Sequence, residues 1–178
     1  GSHADLTDEY AAIPIEMKKV AQYFDKKVLR EVDENEFYEN ISDIREACGD
    51  RAVLRAIHFF NENKRVEKLV NALTDNDFDM FNKYIKESGD SSYKYLQNVY
   101  SNKEPHNQAV SLALSLSEVI LGNHGVCRVH GGGFAGTIQA FVEDNNVEKY
   151  KNEIEKIFGK GSCHVLKIRK YGGTKVLG

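Results

Sequence analysis

Apolar residues recur at helical spacing through most of the chain and switch to strand-like alternation after Gly122. Thr7 can cap a first turn that carries Leu6 and Tyr10. Pro14 is expected to break that turn, because proline has no N–H to donate and disfavours helix at the residue before it. A fresh helix then runs to about Phe24 and buries Met17, Val20, Ala21 and Phe24. Asp33 is the expected N-cap of a helix through Ala47, with Phe37, Ile41 and Ile44 inward and Gly49 beyond its end. Asp50 should cap the longest helix, reaching roughly Leu73 along Val53, Ile57, Phe60, Leu69, Val70 and Leu73. Thr74 and Asp77 form a capping signature for a helix that ends near Glu87 and Ser88 and stops at Gly89. Ser91 to Tyr100 reads as another short helix grouping Tyr93, Leu96 and Tyr100. After Pro105, the positions Ala109, Leu112, Ala113, Leu116 and Ile120 give an amphipathic helix ending at Gly122.

The period then becomes two. Val126, Arg128 and His130 alternate with Cys127 and Val129, and Ile138, Ala140 and Val142 alternate with Thr137, Gln139 and Phe141. Two strands meeting at the glycine-rich stretch Gly131–Gly136 make a β-hairpin with an exposed main-chain tip. Asn145 with Glu148 reads as a capping box for a helix carrying Val147, Tyr150, Ile154, Ile157 and Phe158, ended by Gly159. Ser162 to Arg169 reads as a strand, and Lys175 to Leu177 as a short final one. The order predicts an α+β fold: a helical part over about 1–121, then a ferredoxin-like antiparallel sheet backed by helices over about 122–178.

Two stretches hold candidate chemistry. Gly131, Gly132, Gly133 and Gly136 leave a backbone that can turn sharply, adopt positive φ and approach a ligand or another backbone closely. The spacing Gly131-x-Gly133-x-x-Gly136 formally matches a dinucleotide fingerprint. That motif needs a helix opening on the glycines, and here a strand follows, so the dinucleotide reading is rejected. No Lys followed by Ser or Thr stands at the offset of a Walker A loop. A tight structural hairpin without a ligand stays open on local pattern alone. The second stretch is Arg55, His58, Glu62 and Arg65, which fall on one helical face at i, i+3, i+7 and i+10. This face is either a solvated ion-paired surface, a polar seam between helices, or a face turned toward another domain.

Composition narrows the classes. A length of 178 residues with 41% hydrophobic content supports one domain with an ordinary core. The formal charge of −3 gives no electrostatic case for nucleic acid or an anionic membrane as main partner. No apolar run approaches the roughly 18 residues of a spanning helix, and no signal-peptide core is visible. Cys48, Cys127 and Cys163 lack any CxxC spacing and read as reduced thiols in a cytoplasm. His58, His106, His124, His130 and His164 are too scattered for a zinc site, and His58 with Glu62 has a structural reading. No metal site is expected, and no nucleophile elbow is present. Lys160, Lys167, Arg169, Lys170 and Lys175 give the C-terminal end a positive bias, which is either solvated surface or a face toward phosphate. The start Gly1-Ser2-His3, without methionine, looks like a cleaved tag remnant or an excised fragment.

Val129-His130-Gly131-Gly132-Gly133-Phe134-Ala135-Gly136 resembles the third motif of the galactokinase and GHMP-type small-molecule kinases, where a hydrophobic strand runs into GGGFGG. Further patches follow in that family's order. His3 through Tyr10 resembles its His-x5-Glu-Tyr segment. Arg55, His58, Glu62 and Arg65 resemble its Arg-x2-His-x3-Glu-x2-Arg helix, and Gly173-Thr174-Lys175-Val176-Leu177 its closing segment. The departures are Ala135 for glycine, His130 for threonine, Thr137 for cysteine, Ala12-Ile13-Pro14 for two arginines, Gly89 after Glu87-Ser88 where histidine is usual, and the whole segment after Asn102.

The resemblance implies that the whole of 1–178 is a GHMP kinase C-terminal domain, inert alone, whose N-terminal ATP-binding and catalytic domain lies outside the chain. It implies ATP-dependent phosphorylation of galactose or a related hexose at the 1-hydroxyl by the complete protein, with ATP and Mg2+ as cofactors and no protein ligand to the metal in this chain. It implies Tyr10 as a substrate contact and the bend of Gly131, Gly132, Gly133, Phe134, Ala135 and Gly136 as an active-site loop. Arg55, His58, Glu62 and Arg65 become a structural polar helix face. The expected partners are the hexose, ATP and the protein's own N-terminal domain, in the cytoplasm, with neither nucleic acid nor membrane. Two alternatives remain at this stage: a non-catalytic sugar or nucleotide sensor on the same scaffold, and a stand-alone ferredoxin-like binding module.

Overall fold

A computed structural model describes residues 6–134 and 136–167. Seven α-helices and one hairpin are ordered along these residues: α1 (Thr7–Tyr23), α2 (Glu34–Glu39), α3 (Ile41–Cys48), α4 (Asp50–Thr74), α5 (Phe78–Ser91), α6 (Ala109–Leu121), β1 (Gly125–His130), β2 (Thr137–Val142) and α7 (Val147–Phe158). A single turn of π-helix, Ser92–Leu96, continues α5. This is an α+β arrangement with a small antiparallel sheet, as the change of period implies.

The helical part closes around Val20, Ala21, Phe37, Ile44, Ala52, Val53, Ala56 and Phe60, all buried, with Met17, Phe24, Ile41 and Ile57 packed at the margin. Those are largely the apolar positions that helical spacing selects. Asp33 caps α2 by accepting the Glu36 N–H, as expected, but the helix breaks at Asn40 before α3 begins. Asp77 caps α5 by accepting the Met80 N–H.

Several expectations are corrected. Pro14 lies inside a continuous α1, and the N-cap is Leu6, with Thr7 the first helical residue. Proline costs one i→i−4 bond, and the packed face carrying Val20 and Ala21 outweighs it. Asp50 opens α4 as a helical residue after the Gly49 cap, and its carboxylate pairs with Arg45. Gly89 does not end α5, which runs on to Ser91 and into the π turn. Its role is close approach: a Cβ there would sit 3.2 Å from Arg128 Cβ and 3.3 Å from the Cys127 carbonyl oxygen. β1 therefore lies directly on α5. Ser91 to Tyr100 is the π turn followed by an irregular segment, not a separate α-helix.

The inward stripe of α6 is Val110, Leu114, Ser117 and Leu121, whereas Leu112 is half exposed. That stripe is rotated from the one its sequence suggested. Hairpin register pairs Gly125 with Val142 and His130 with Thr137, which turns Cys127 and Val129 inward onto α5 and α6. The Asn145–Glu148 capping box is replaced by a 3-10 turn, Asp144–Asn146, leading into α7. Tyr150 and Ile154 are the buried face of α7, while Ile157 is half exposed.

The strand expected from Ser162 does not form over Ser162–Lys167, so the sheet of the described residues is the hairpin alone. The expected strand Lys175–Leu177, the Gly173–Leu177 segment, and the cationic positions Arg169, Lys170 and Lys175 lie outside the described residues. Among the described residues no helix is long and apolar enough to cross a membrane.

Candidate functional site: a glycine bend closed by Tyr10 and Asn98

The hairpin tip and the first helix meet although they are distant in sequence. Tyr10 Oη donates to the Gly133 carbonyl oxygen at 2.9 Å, across 123 positions of chain. The same oxygen accepts the Gly136 N–H at 3.0 Å, so it faces inward and is occupied twice. The Tyr10 ring covers Gly132, where a Cβ would come within 2.7 Å of Tyr10 Cε1. Phe134 sets its ring edge-on to Tyr10, with centroids 5.2 Å apart at 90°.

The other side of the bend rests on the irregular segment after the π turn. Gly133 has φ +79°, and a Cβ on it would overlap the Asn98 carbonyl oxygen. Glycine is required there on both grounds. Phe134 N–H donates to that carbonyl at 2.5 Å, and Asn98 Nδ2 donates to the Gly132 carbonyl at 3.3 Å. Phe134 itself sits at φ +55°, a conformation that costs a non-glycine residue about 1–2 kcal/mol. Its main-chain bond and its buried ring hold it there. Gly131 and Gly132 are exposed at the tip, while Gly133 and Phe134 are buried. No carbonyl among the described residues accepts the Gly131 or Gly132 N–H. The tip therefore offers main-chain donors to solvent from a base that is fixed. Ala135 lies outside the described residues.

The polar face of α4 is not a solvated surface. Arg55 is fully buried, donating from Nη1 to Glu16 Oε2 at 2.9 Å and from Nε to the Leu96 carbonyl at 3.1 Å. Burial pushes its guanidinium below the usual arginine range, with Glu16 opposing the shift. Glu16 also takes three bonds from Arg51, two from Nε and one from Nη2. His58 is 8% exposed and shares a 2.9 Å hydrogen bond with Ser91 Oγ. Burial first, and then Arg65 and Arg128, lower its pKa to about 4, so it is neutral at pH 7. Glu62 pairs with Arg65, accepts the Ser88 hydroxyl at 2.6 Å, and lies 4.0 Å from Arg128 Nη1. These four residues form a polar seam joining α4 to α1, α5, the π turn and β1, one of the arrangements their spacing left open.

The seam and the bend are linked by the segment 96–101. Leu96 is held by Arg55, Asn98 holds the bend, Val99 is buried beside Val110 and Val129, and Ser101 Oγ donates to Glu9 Oε1 at 2.7 Å. Glu9 is the glutamate of the His-x5-Glu-Tyr resemblance, and its bond to Ser101 ties that segment to 96–101. Asn98 was not singled out by sequence and carries no local signal.

Among the described residues no three His, Cys, Asp or Glu side chains converge as a metal site would require. The described residues hold no donor set that fits a Mg2+ ion. Cys127 is buried, and burial pushes its thiol up to about 11, so it is inert at neutral pH.

Comparison with known proteins gives a consistent answer. No family model matches the chain. The galactokinase of Glaesserella parasuis serovar 5 is 30% identical over 158 residues, covering 89% of this chain and 39% of that protein. The chain is thus similar to galactokinases over most of its own length. A galactokinase of Haemophilus influenzae is 28% identical over the same shares. The crystal structure of Lactococcus lactis galactokinase complexed with galactose superposes with a TM-score of 0.65 at 23% identity, again over 89% of this chain and 39% of that one, and shows the shared fold. The chain spans about two fifths of the length of the curated relatives it matches, and the match fits a C-terminal galactokinase domain.

Proposed function

We propose that this chain is the C-terminal wall of the active-site cleft in an ATP-dependent sugar kinase of the galactokinase type, one that phosphorylates galactose or a related hexose at its 1-hydroxyl. The observation that carries the reading is the meeting of Tyr10 with the triple-glycine bend. Two segments that resemble separate galactokinase motifs form one constellation, beside an exposed main-chain tip. Similarity to galactokinases over 89% of the chain supports the same conclusion.

In this reading Tyr10 contacts the sugar, and the exposed donors of Gly131 and Gly132 face the cleft. Phosphoryl transfer is governed by positioning and charge stabilisation, and a bend free of side chains lets main-chain dipoles approach the reacting groups. The acid, the phosphate-binding loop, and the groups that hold ATP and Mg2+ belong to an N-terminal domain, the chain's partner in a cytoplasmic enzyme.

The test joins this chain to such an N-terminal domain and measures ADP release and sugar phosphate over a panel of hexoses. Sugar-dependent ADP release with galactose or a close epimer is expected, and none from the chain alone. ATP turnover independent of sugar, or no turnover with any hexose, would overturn the proposal.

A further inference from the structure

We propose that Asn98 is a positioning residue, which fixes the glycine bend in the conformation that presents Gly131 and Gly132 to a substrate. This rests on the kinase reading for its functional consequence, and on geometry alone for its structural part.

Asn98 grips the bend at two points on either side of Gly133. Its main-chain carbonyl accepts the Phe134 N–H, and its side-chain amide donates to the Gly132 carbonyl. The amide can point only one way. A flipped amide would set Oδ1 against the Gly132 carbonyl oxygen, acceptor against acceptor, and Oδ1 as placed is buried without a partner among the described residues. Leaving a buried acceptor unsatisfied costs about 1–3 kcal/mol.

Asn98 is itself held still. Gln97 before it is left-handed (φ 56°, ψ 51°) and closes the π turn with its N–H on the Ser92 carbonyl. Such single π turns and left-handed non-glycine residues concentrate where a chain is bent for a purpose. On both sides the segment is pinned by groups from other elements: Arg55 on the Leu96 carbonyl, and Glu9 on the Ser101 hydroxyl. Asn98 is 2% exposed and does not touch solvent at the tip, so its action on any substrate runs through the bend. The donor it presents is matched to Gly132, the residue that also lies under the Tyr10 ring.

The experiment uses Asn98→Asp, which keeps size and shape but replaces the donor with an oxygen, and Asn98→Ala. In the unmodified chain, nuclear Overhauser contacts from the Asn98 side-chain amide protons to the Gly132 and Gly133 Hα atoms are expected, and their absence overturns the clasp whatever the variants do. In both variants, exchange of the Phe134 amide should rise about tenfold while amides of α4 keep their rates. Unchanged exchange at Phe134 overturns the proposal. In the assembled kinase, kcat should fall about tenfold, or roughly 1.4 kcal/mol of lost transition-state stabilisation, with KM for ATP held constant. A mobile bend with unaltered kcat would make Asn98 structural only and overturn its positioning role. An inactive unmodified kinase would instead sink the kinase reading, and the exchange and contact measurements would still decide the clasp.

Discussion

At Gly133 two constraints coincide, a φ of +79° and a neighbouring Asn98 carbonyl oxygen in the volume a Cβ would occupy. A β-branched side chain meets both at once. Gly133→Val is expected to destabilise the chain by about 3 kcal/mol or more, read as a lowered urea midpoint, and to abolish turnover in the assembled kinase. Normal kinetics in that variant would remove the bend from the site. Tyr10 separates contact with the bend from contact with substrate. Tyr10→Phe loses the hydrogen bond to the Gly133 carbonyl, which keeps the Gly136 N–H, so a cost near 1 kcal/mol is expected. Tyr10→Ala also removes the ring over Gly132, and it should raise KM for the sugar more than KM for ATP. Equal changes in the two constants would deny Tyr10 a sugar contact.

Between elements, the polar seam sets how stability depends on pH. His58 titrates near its ordinary value of 6.5 when unfolded and at about 4 when folded, so the unfolded state binds its proton first as pH falls. Stability is therefore whole above pH 6.5 and is lost progressively down to about pH 4, by at most about 3 kcal/mol from this group. The cationic neighbours Arg65 and Arg128 oppose its protonation, and burial opposes it more. His58→Asn, which can still bond Ser91, should show a smaller fall in melting temperature between pH 7 and pH 4.5 than the unmodified chain. Equal falls would place the titration elsewhere.

The seam also shows what the sequence could and could not disclose. Spacing puts Arg55, His58, Glu62 and Arg65 on one face, but their burial depends on Glu16, Leu96, Ser88 and Ser91, partners 26 to 41 positions away. No local pattern encodes that. Helix α6 is apolar nearly all round, so Leu112 and Val110 were equally good inward residues, and only packing on the hairpin decided between them. Gly89 looked like a stop because glycine often ends helices, yet β1 needed its bare surface. The hairpin, by contrast, was readable as two alternating strands meeting at a glycine bend, while its register, Gly125 with Val142 and His130 with Thr137, came from the structure. Asn98 stayed hidden because its work is done by a main-chain carbonyl and one amide, with no neighbours in sequence to mark it.

On the scale of the molecule, that charged seam stands between the two larger of the three apolar clusters of the described residues. One core lies within α1 to α4, and the other lies between α6, the hairpin and α7. Glu62 stands at the junction, with Arg65 from its own helix, Ser88 from α5 and Arg128 from β1 around one carboxylate. Burial lowers the pKa of both arginines, and Glu87 and Asp90 oppose the shift at Arg65. Among the described residues Glu87 also lies close to Arg65, at 3.7 Å and more exposed than Glu62, and Asp90 adds its charge. Glu62→Ala would leave two largely desolvated cations facing each other across the junction, and breaking a buried pair this way costs about 3 kcal/mol or more. The loss should fall unevenly. Amides of β1 and β2 are expected to exchange faster at lower denaturant than those of α3 and the first half of α4, because the first core keeps all its contacts. Glu62→Gln, which retains the Ser88 bond but not the charge, should reproduce the effect and so attribute it to electrostatics. A uniform rise at every amide would mean that the two cores unfold as one unit and that the seam does not divide them.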